Sequence, residues 1–360
     1  MFEIVTAEDA CRIIFDFAER GDLESSGDKV INKLCSWRVR FSQAYDDSGN
    51  RNGSGNCTSS ACDADRHDRT FSIWLELVDD CNLDCVFCYN PWRPPDSELR
   101  AQPILSYESL VHAINKIMDS IPVDHVILSG GEPLLYRRLA SLTAMIGDRC
   151  SSIGMTTNGR SLTRNRLADL ASAGLSQISV PVHSSVAAIH DELAGGRSWR
   201  AAIRALAFGL ELGVSVTMSS VVTTRNARNI VNVIKIGLGL GIGTVVLNCF
   251  HPTGQGGGRD ELELCESEFN NVVGEARDVI GDRGKVFIGS PPTSRKETRT
   301  RADRLILSPF GDVKLCNQSS TGIVSLIDDP ASKLDDLIHA LSTGTYGEYL
   351  ARIDSCSCFS

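Results

Sequence analysis

Phe71-Ser-Ile-Trp-Leu-Glu-Leu-Val-Asp-Asp-Cys81-Asn-Leu-Asp-Cys85-Val-Phe-Cys88 is a strand that runs directly into a thiol-bearing loop. Its first part, Ser72-Val78, is short, apolar and bounded by Asp, as a buried strand should be. Its second part sets three cysteines in a CxxxCxxC spacing. Three thiolates this close can wrap one face of a cuboidal iron-sulfur cluster and leave the fourth iron without a protein ligand. An open position is also what separates catalytic from structural zinc. The spacing alone leaves two other readings: a zinc knob, and a ferredoxin-like site completed by a distant cysteine.

Outward from this stretch, strands and amphipathic helices alternate. Strands are expected at His125-Leu128, Ser152-Thr156, Gln177-Val182, Val214-Val221 and Thr244-Phe250. Helices are expected near Tyr107-Met118, Leu139-Ile146, Arg164-Ala173, Trp199-Leu212 and Ala227-Leu240. Six β/α units in succession imply parallel strands joined by right-handed crossovers, as an open sheet or a full or partial barrel. Ligands of such sheets gather at the carboxyl ends of the strands, where the cysteine loop lies.

Residues 71–282 form this core. A helix near Glu266-Ile280 ends the alternation, and residues 283–360 read as a short tail. It has strands at Leu305-Leu307 and Val313-Leu315, a helix at Leu334-Leu341 and a closing Cys356-Ser-Cys358. Residues 1–45 read as a helical extension with an apolar stripe through Cys11, Ile14, Phe15 and Ala18, then Val30, Ile31, Leu34 and Trp37. Residues 46–70, rich in Ser, Gly, Asn and Asp and carrying Cys57 and Cys62, read as a flexible linker.

The chain has 360 residues, a net charge of -9 and 13 cysteines. The charge, with no dense Lys/Arg cluster, argues against a general nucleic-acid binder. No apolar run is long enough to span a membrane, and acidic residues near Met1 do not fit a signal peptide, so a cytoplasmic location is expected. An odd cysteine count spread over this length is no secreted disulfide framework. Cys11, Cys35, Cys150 and Cys249 sit in apolar stretches and read as small core residues.

With the motifs that follow it, the cysteine loop resembles that of the radical S-adenosylmethionine (radical SAM) superfamily, over Phe71 to Gly254. Phe87 matches the aromatic position beside the adenine. Ser129-Gly130-Gly131-Glu132-Pro133, after the second strand, matches the GGE motif. Its glycines permit close backbone approach, and its carboxylate is suited to the methionine ammonium. Thr156-Thr157-Asn158-Gly159 matches the TNG signature, with Asn158 expected near ribose or substrate. On the fifth strand Thr217, Ser219 and Thr223 offer hydroxyls, Ser219 toward S-adenosylmethionine. Phe250, before His251-Pro252-Thr-Gly254, is placed to flank the adenine. The fourth strand departs from the family: Pro181 and His183 stand where Ser and Asp are common. His183 is expected at the barrel mouth, to orient substrate or move a proton.

The resemblance implies a partial (β/α)6 barrel, a [4Fe-4S] cluster on Cys81, Cys85 and Cys88, and S-adenosylmethionine on the free iron. Reductive cleavage then gives a 5′-deoxyadenosyl radical that abstracts a substrate hydrogen. A flavodoxin- or ferredoxin-type electron donor is implied as partner. Gly311-Asp-Val-Lys-Leu-Cys316 resembles the Gly-x4-Cys hairpin of SPASM and twitch tails, in which Cys316, Cys356 and Cys358 would hold an auxiliary cluster. The pattern lacks the preceding cysteine and closes on Cys-x-Cys, so the tail also reads as a degenerate cap without a cluster; a third reading makes Cys316 a hydrogen donor to a product radical. Such tails point to natural-product tailoring. The substrate this resemblance implies is a ribosomally made peptide, undergoing crosslinking or epimerisation, with a sugar, aminoglycoside or nucleoside intermediate, undergoing dehydrogenation, epimerisation or decarboxylation, as the alternative. A non-catalytic Fe-S protein is the alternative of another class, and it has no need of GGEP.

Overall fold

The computed structural model describes residues 6–19, 70–290, 304–316, 322, 324–325 and 332–343. The core begins at β1 (Phe71–Glu76), whose alternate residues Phe71, Ile73 and Leu75 are buried against helices while Ser72 and Trp74 are half-buried on the other face. Helix α2 (Tyr107–Ser120) starts where the Ser106 hydroxyl accepts from the Ser109 N–H, a cap that supplies one of the first turn's missing partners. It buries Leu110, Ala113, Ile114 and Ile117, the i, i+3, i+4, i+7 stripe of a helix lying on a sheet.

The pattern repeats through β2 (Val123–Ser129), α3 (Leu139–Gly147), β3 (Ser152–Thr156), α4 (Arg164–Ser172) and β4 (Leu175–Pro181). Helices α5 (Ala187–Leu193) and α6 (Trp199–Glu211) precede β5 (Ser215–Val222), which α7 (Ile230–Leu240) joins to β6 (Thr244–Cys249). Strands β1 to β6 pair in sequence order, each parallel to the next.

The alternation runs further than its sequence suggests. After α8 (Glu266–Ile280) comes β7 (Lys285–Ser290), parallel to β6. Lys285-Val-Phe-Ile-Gly-Ser is a short edge strand: Val286 and Ile288 pack on the core, while Phe287 is 50% exposed, so its apolar signal is weak. The tail also joins the sheet. Strand β8 (Arg304–Leu307) lies parallel to β1 on the side away from β2, and β9 (Asp312–Lys314) and β10 (Val324–Ser325) follow antiparallel. Among the described residues the sheet thus has ten strands in the order β10-β9-β8-β1-β2-β3-β4-β5-β6-β7. Its end strands do not pair, so the barrel is open. Helix α9 (Ser332–Thr343) covers the expected tail helix.

Helix α1 (Ala7–Glu19) packs on α6. The Phe15 ring lies 5.8 Å from that of Trp199, the Arg200 guanidinium stands 4.5 Å over Phe15, and Arg200 pairs with Glu19. The rest of the expected extension, the linker with Cys57 and Cys62, and Cys35 lie outside the described residues. Cys11 and Cys249 are core residues, 2% and 4% exposed, and Cys150 is half-buried.

One charged pair ties the tail to the cysteine strand. Lys314 Nζ lies 2.8 Å from Glu76 Oε2, with side chains 3% and 1% exposed. Burial pushes the Glu76 carboxyl up, and the Lys314 charge pulls it back. The same ammonium is 5.5 Å from the Trp92 ring, which meets Phe310 edge-on at 5.7 Å. Buried pairs of this kind fix a geometry more than they add stability, since desolvation offsets most of the attraction.

Candidate active site

Cys81, Cys85 and Cys88 are free thiols on the loop that leaves β1 at the carboxyl rim of the sheet. Leu83 and Asn90 backbone groups hydrogen-bond Cys81 and Cys88, and Asn158 Nδ2 lies 3.8 Å from Cys81 Sγ. Burial raises all three thiols, Cys88 to about 11, so a bound cation must supply the stabilisation that makes them thiolates.

Two strand-end turns brace the loop from β2 and β3. The Gly131 N–H donates to Val78 O at 2.7 Å and the Glu132 N–H to Asp80 O at 2.9 Å, while Asn90 Nδ2 donates to Gly130 O at 3.0 Å. These contacts need glycine. A Cβ on Gly131 would stand 2.0 Å from Asp80 O, and one on Gly130, at φ 124°, 2.7 Å from Val78 O. Buried Pro133 begins the short 3-10 turn beyond.

Glu132 is 1% exposed, and its carboxylate is heavily used within the protein. It accepts from Thr157 Oγ1 at 2.6 Å, the Asn158 N–H at 2.9 Å and the Leu134 N–H at 3.1 Å. Burial raises its pKa, and these hydrogen bonds oppose the rise. The side chain is therefore a strut between the ends of β2 and β3. Asn158 passes the brace onward, donating to Asn82 Oδ1 at 2.8 Å as well as approaching Cys81.

Opposite this brace lies a small apolar cluster of Phe87, Leu193, Phe250 and Leu262, against which Cys85, Val86, Ile189 and Val221 pack. Gly256 lets the turn after β6 close over it, because a Cβ there would stand 2.8 Å from the Phe250 ring. The α5 turn presses on the loop too: the Val86 N–H donates to Leu193 O at 3.0 Å, and a Cβ on Gly195 would meet Asp84 O at 1.9 Å.

His183 stands at the end of β4, 3% exposed, with Phe87 edge-on at 4.6 Å and the His190 ring stacked at 5.3 Å. Its N–H donates to His190 Nδ1 at 3.1 Å, and its own Nδ1 accepts from the Val221 N–H at 3.3 Å. His190 Nε2 shares a hydrogen bond with Ser198 Oγ at 3.0 Å. Burial holds His183 well below the usual imidazole range, and holds His190 down to about 4 despite the Asp191 carboxylate. Both rings are thus neutral packing elements behind Phe87.

This pair carries a pH signature. The unfolded His190 takes a proton near pH 6.5 and the folded one only near 4, so stability is fully present above 6.5 and is lost as pH falls through 4. Unfolding at pH 5 is expected to need about 2 kcal/mol less than at pH 7.5 from this residue. Urea midpoints across that range check it. A His190→Gln variant should flatten the slope, and an unchanged slope would refute the assignment.

Ser219 is half-buried on the inner face of β5, directly beside Pro181 in register, with Thr217 on the same face. Thr223 departs from the expected row: β5 ends at Val222, and the Thr223 hydroxyl donates instead to Asn226 Oδ1 at 3.0 Å inside the core. Cys316 is half-buried against the core just past β9, while Cys356 and Cys358 lie outside the described residues.

Sequence reasoning missed Asn90, Trp92 and Arg93. Trp92 Nε1 donates to Asp79 O at 3.1 Å, and Arg93 donates to Leu83 O at 2.9 Å. Only their closeness to Cys88 hinted at a role.

An open sheet of parallel core strands bearing three free thiols at one strand end, braced by a GGE turn and a TNG turn, is the arrangement expected of a radical SAM core. The Radical SAM superfamily profile matches residues 75–235. The probable GTP 3′,8-cyclase of Aeropyrum pernix is 27% identical over 186 residues, which is 51% of this chain and 51% of that protein. The GTP 3′,8-cyclase of Synechococcus elongatus is 31% identical over 156 residues, 42% of this chain and 46% of its own. The chain spans about half the length of these curated relatives.

Among solved structures, Streptococcus suis SuiB bound to precursor peptide SuiA superposes with a TM-score of 0.61 at 14% identity, covering 92% of this chain and 83% of that one. anSMEcpe with bound AdoMet gives 0.59 at 15% identity, covering 81% and 87%. At these identities the likeness is one of fold. Residues 75–235 thus carry a radical SAM domain, and the enzymes of that superfamily work with a [4Fe-4S] cluster and S-adenosylmethionine.

Proposed function

We propose that this chain cleaves S-adenosylmethionine reductively at a [4Fe-4S] cluster held by Cys81, Cys85 and Cys88, and tailors a natural product, preferentially a ribosomally made peptide, by crosslinking or epimerisation. The observation that carries the reading is the interlock of the cysteine loop with the GGE and TNG turns, since an electron-transfer or zinc loop has no need of Gly131 against Asp80 or of Asn158 beside Cys81. The donor set fits the group: three neighbouring soft sulfur ligands with N–H donors aimed at them. When bound, the cluster and S-adenosylmethionine supply the electron and the 5′-deoxyadenosyl radical that takes the substrate hydrogen.

The protein's part is placement. In this reading Phe87 and Phe250 flank the adenine, Gly130, Gly131 and Pro133 shape the turn that admits the methionine end, and Glu132 accepts its ammonium. Asn158 and Ser219 contact the nucleoside side. His183 backs Phe87 and reaches the substrate only through it. Cys316, with Cys356 and Cys358, is assigned to an auxiliary cluster, or by itself to hydrogen donation. A flavodoxin- or ferredoxin-type protein is the electron donor. The setting is cytoplasmic, and among the described residues no helix is long and apolar enough to cross a membrane.

The peptide preference draws on the fold shared with SuiB, described in complex with SuiA, and with anSMEcpe, described with a Cp18Cys peptide. The relationship to GTP 3′,8-cyclases favours a second reading, a nucleoside or nucleotide substrate. Anaerobic reconstitution followed by dithionite and S-adenosylmethionine tests the common part. An intact cluster that yields no 5′-deoxyadenosine would overturn the enzyme reading. Deuterium transfer into 5′-deoxyadenosine from a labelled peptide encoded beside the gene, set against labelled GTP, separates the two substrates.

A further inference from the structure

Arg93 follows the third cysteine by five residues, and the turn closed by its N–H on Asn90 O at 3.1 Å sends its side chain back across the loop. Its Nη2 donates to Leu83 O and to Asp84 Oδ1, both at 2.9 Å. The guanidinium therefore spans the stretch between the first two cysteines. Both of its partners belong to the residues that join Cys81 to Cys85, so the charge is anchored on the cluster-binding loop itself.

The counter-charges are less effective. Asp84, the ion-pair partner, is 66% exposed, whereas the Arg93 side chain is 16% exposed, so solvent screens the carboxylate far more than the guanidinium. Gln255 Nε2 also donates to Asp84 Oδ1, at 3.1 Å, drawing off part of its charge. The remaining anionic neighbours, Asp80 and Glu132, act on Cys81.

We propose that Arg93 sets the reduction potential of the cluster, holding it high enough to accept an electron, by anchoring one poorly screened positive charge on the loop that carries the three cysteines. This rests on the cluster reading above. One-electron reduction adds a negative charge to a half-buried loop, and a fixed cation lowers the energy of that state relative to the oxidised one. The effect is electrostatic, so lysine should reproduce most of it and glutamine none.

The test is an EPR-monitored potentiometric titration of reconstituted protein without S-adenosylmethionine, with iron and sulfide counted in each sample. In Arg93→Gln the ratio of reduced to oxidised cluster at the wild-type midpoint should fall about tenfold, a shift of about 59 mV for one electron. Arg93→Lys should stay near wild type, and Asp84→Asn should move the midpoint upward. A fully loaded Arg93→Gln protein that titrates like wild type would overturn the proposal. So would equal shifts in the Lys and Gln variants, which would assign the effect to the Leu83 and Asp84 hydrogen bonds. If the Gln variant loses its cluster, an unmoved Asp84→Asn midpoint overturns it instead. A wild-type chain that binds no iron removes the cluster reading and this proposal with it, whereas a loaded wild type that makes no 5′-deoxyadenosine removes only the enzyme reading.

Discussion

With Cys81, Cys85 and Cys88 all replaced by alanine, 5′-deoxyadenosine formation is expected to fall to background. The cofactor carries the hard chemistry, and no other described group can substitute for three thiolates on one loop. The fold should survive, because the thiols are half-buried and contribute little of the core that Ile73, Leu75, Leu128 and Met155 build behind them. Iron counting on the same variant gives a second result. About four iron atoms left per chain would belong to Cys316, Cys356 and Cys358 in a second cluster, and near-zero iron would remove that cluster. Activity retained in the triple variant would contradict the assignment of the site.

Gly131→Ala is expected to be nearly as damaging, although no chemistry is removed. The new Cβ would stand 2.0 Å from Asp80 O and 2.6 Å from its carbonyl carbon, and backbone cannot swing aside as a side chain can. The β2 turn must withdraw, which breaks the Glu132 N–H bond to Asp80 O and shifts the Glu132 strut toward Thr157 and Asn158. A cost of about 3 kcal/mol or more is expected, the range of overpacking that relaxation cannot relieve. The readouts are the urea midpoint and the iron bound on reconstitution. Wild-type values of both would show the turn to be more pliable than its contacts indicate.

Much of the core was legible in the sequence because each element carries its own local signal. The stripe of Leu110, Ala113, Ile114 and Ile117, the Ser106 and Thr163 caps, and the Gly and Pro turns at strand ends are all readable at short range. The cysteine spacing and GGEP were legible for the same reason. What escaped depends on distance along the chain. Strand β8 reads as apolar, but its parallel place beside β1 is a pairing between Ser72 and Arg304 that no local pattern encodes. Arg93 looks like any surface arginine until the fold brings it over Leu83. His183 could be assigned to the rim, yet its neutrality follows from His190, whose ring stacks on it only once α5 has packed. Thr223 was grouped with Thr217 and Ser219 by alternation, and the strand ended one residue too soon for that.

The place of β8 has a consequence for the order in which the molecule is made. The strand that carries the cysteine loop is flanked by β2 on one side and β8 on the other, and Lys314 reaches Glu76 from the same late segment. Until residues 304–314 have left the ribosome, β1 is an open edge, Glu76 is a carboxylate without its counter-ion, and Trp92 lacks its Phe310 neighbour. Domains emerge from the N-terminus at synthesis speed, and long-range pairings close last. The thiol loop is therefore among the first parts of the core to be translated and among the last to be finished. Iron is best delivered to a completed chain, and a nascent chain stopped before β8 would present its three thiols to solvent on an unfinished edge.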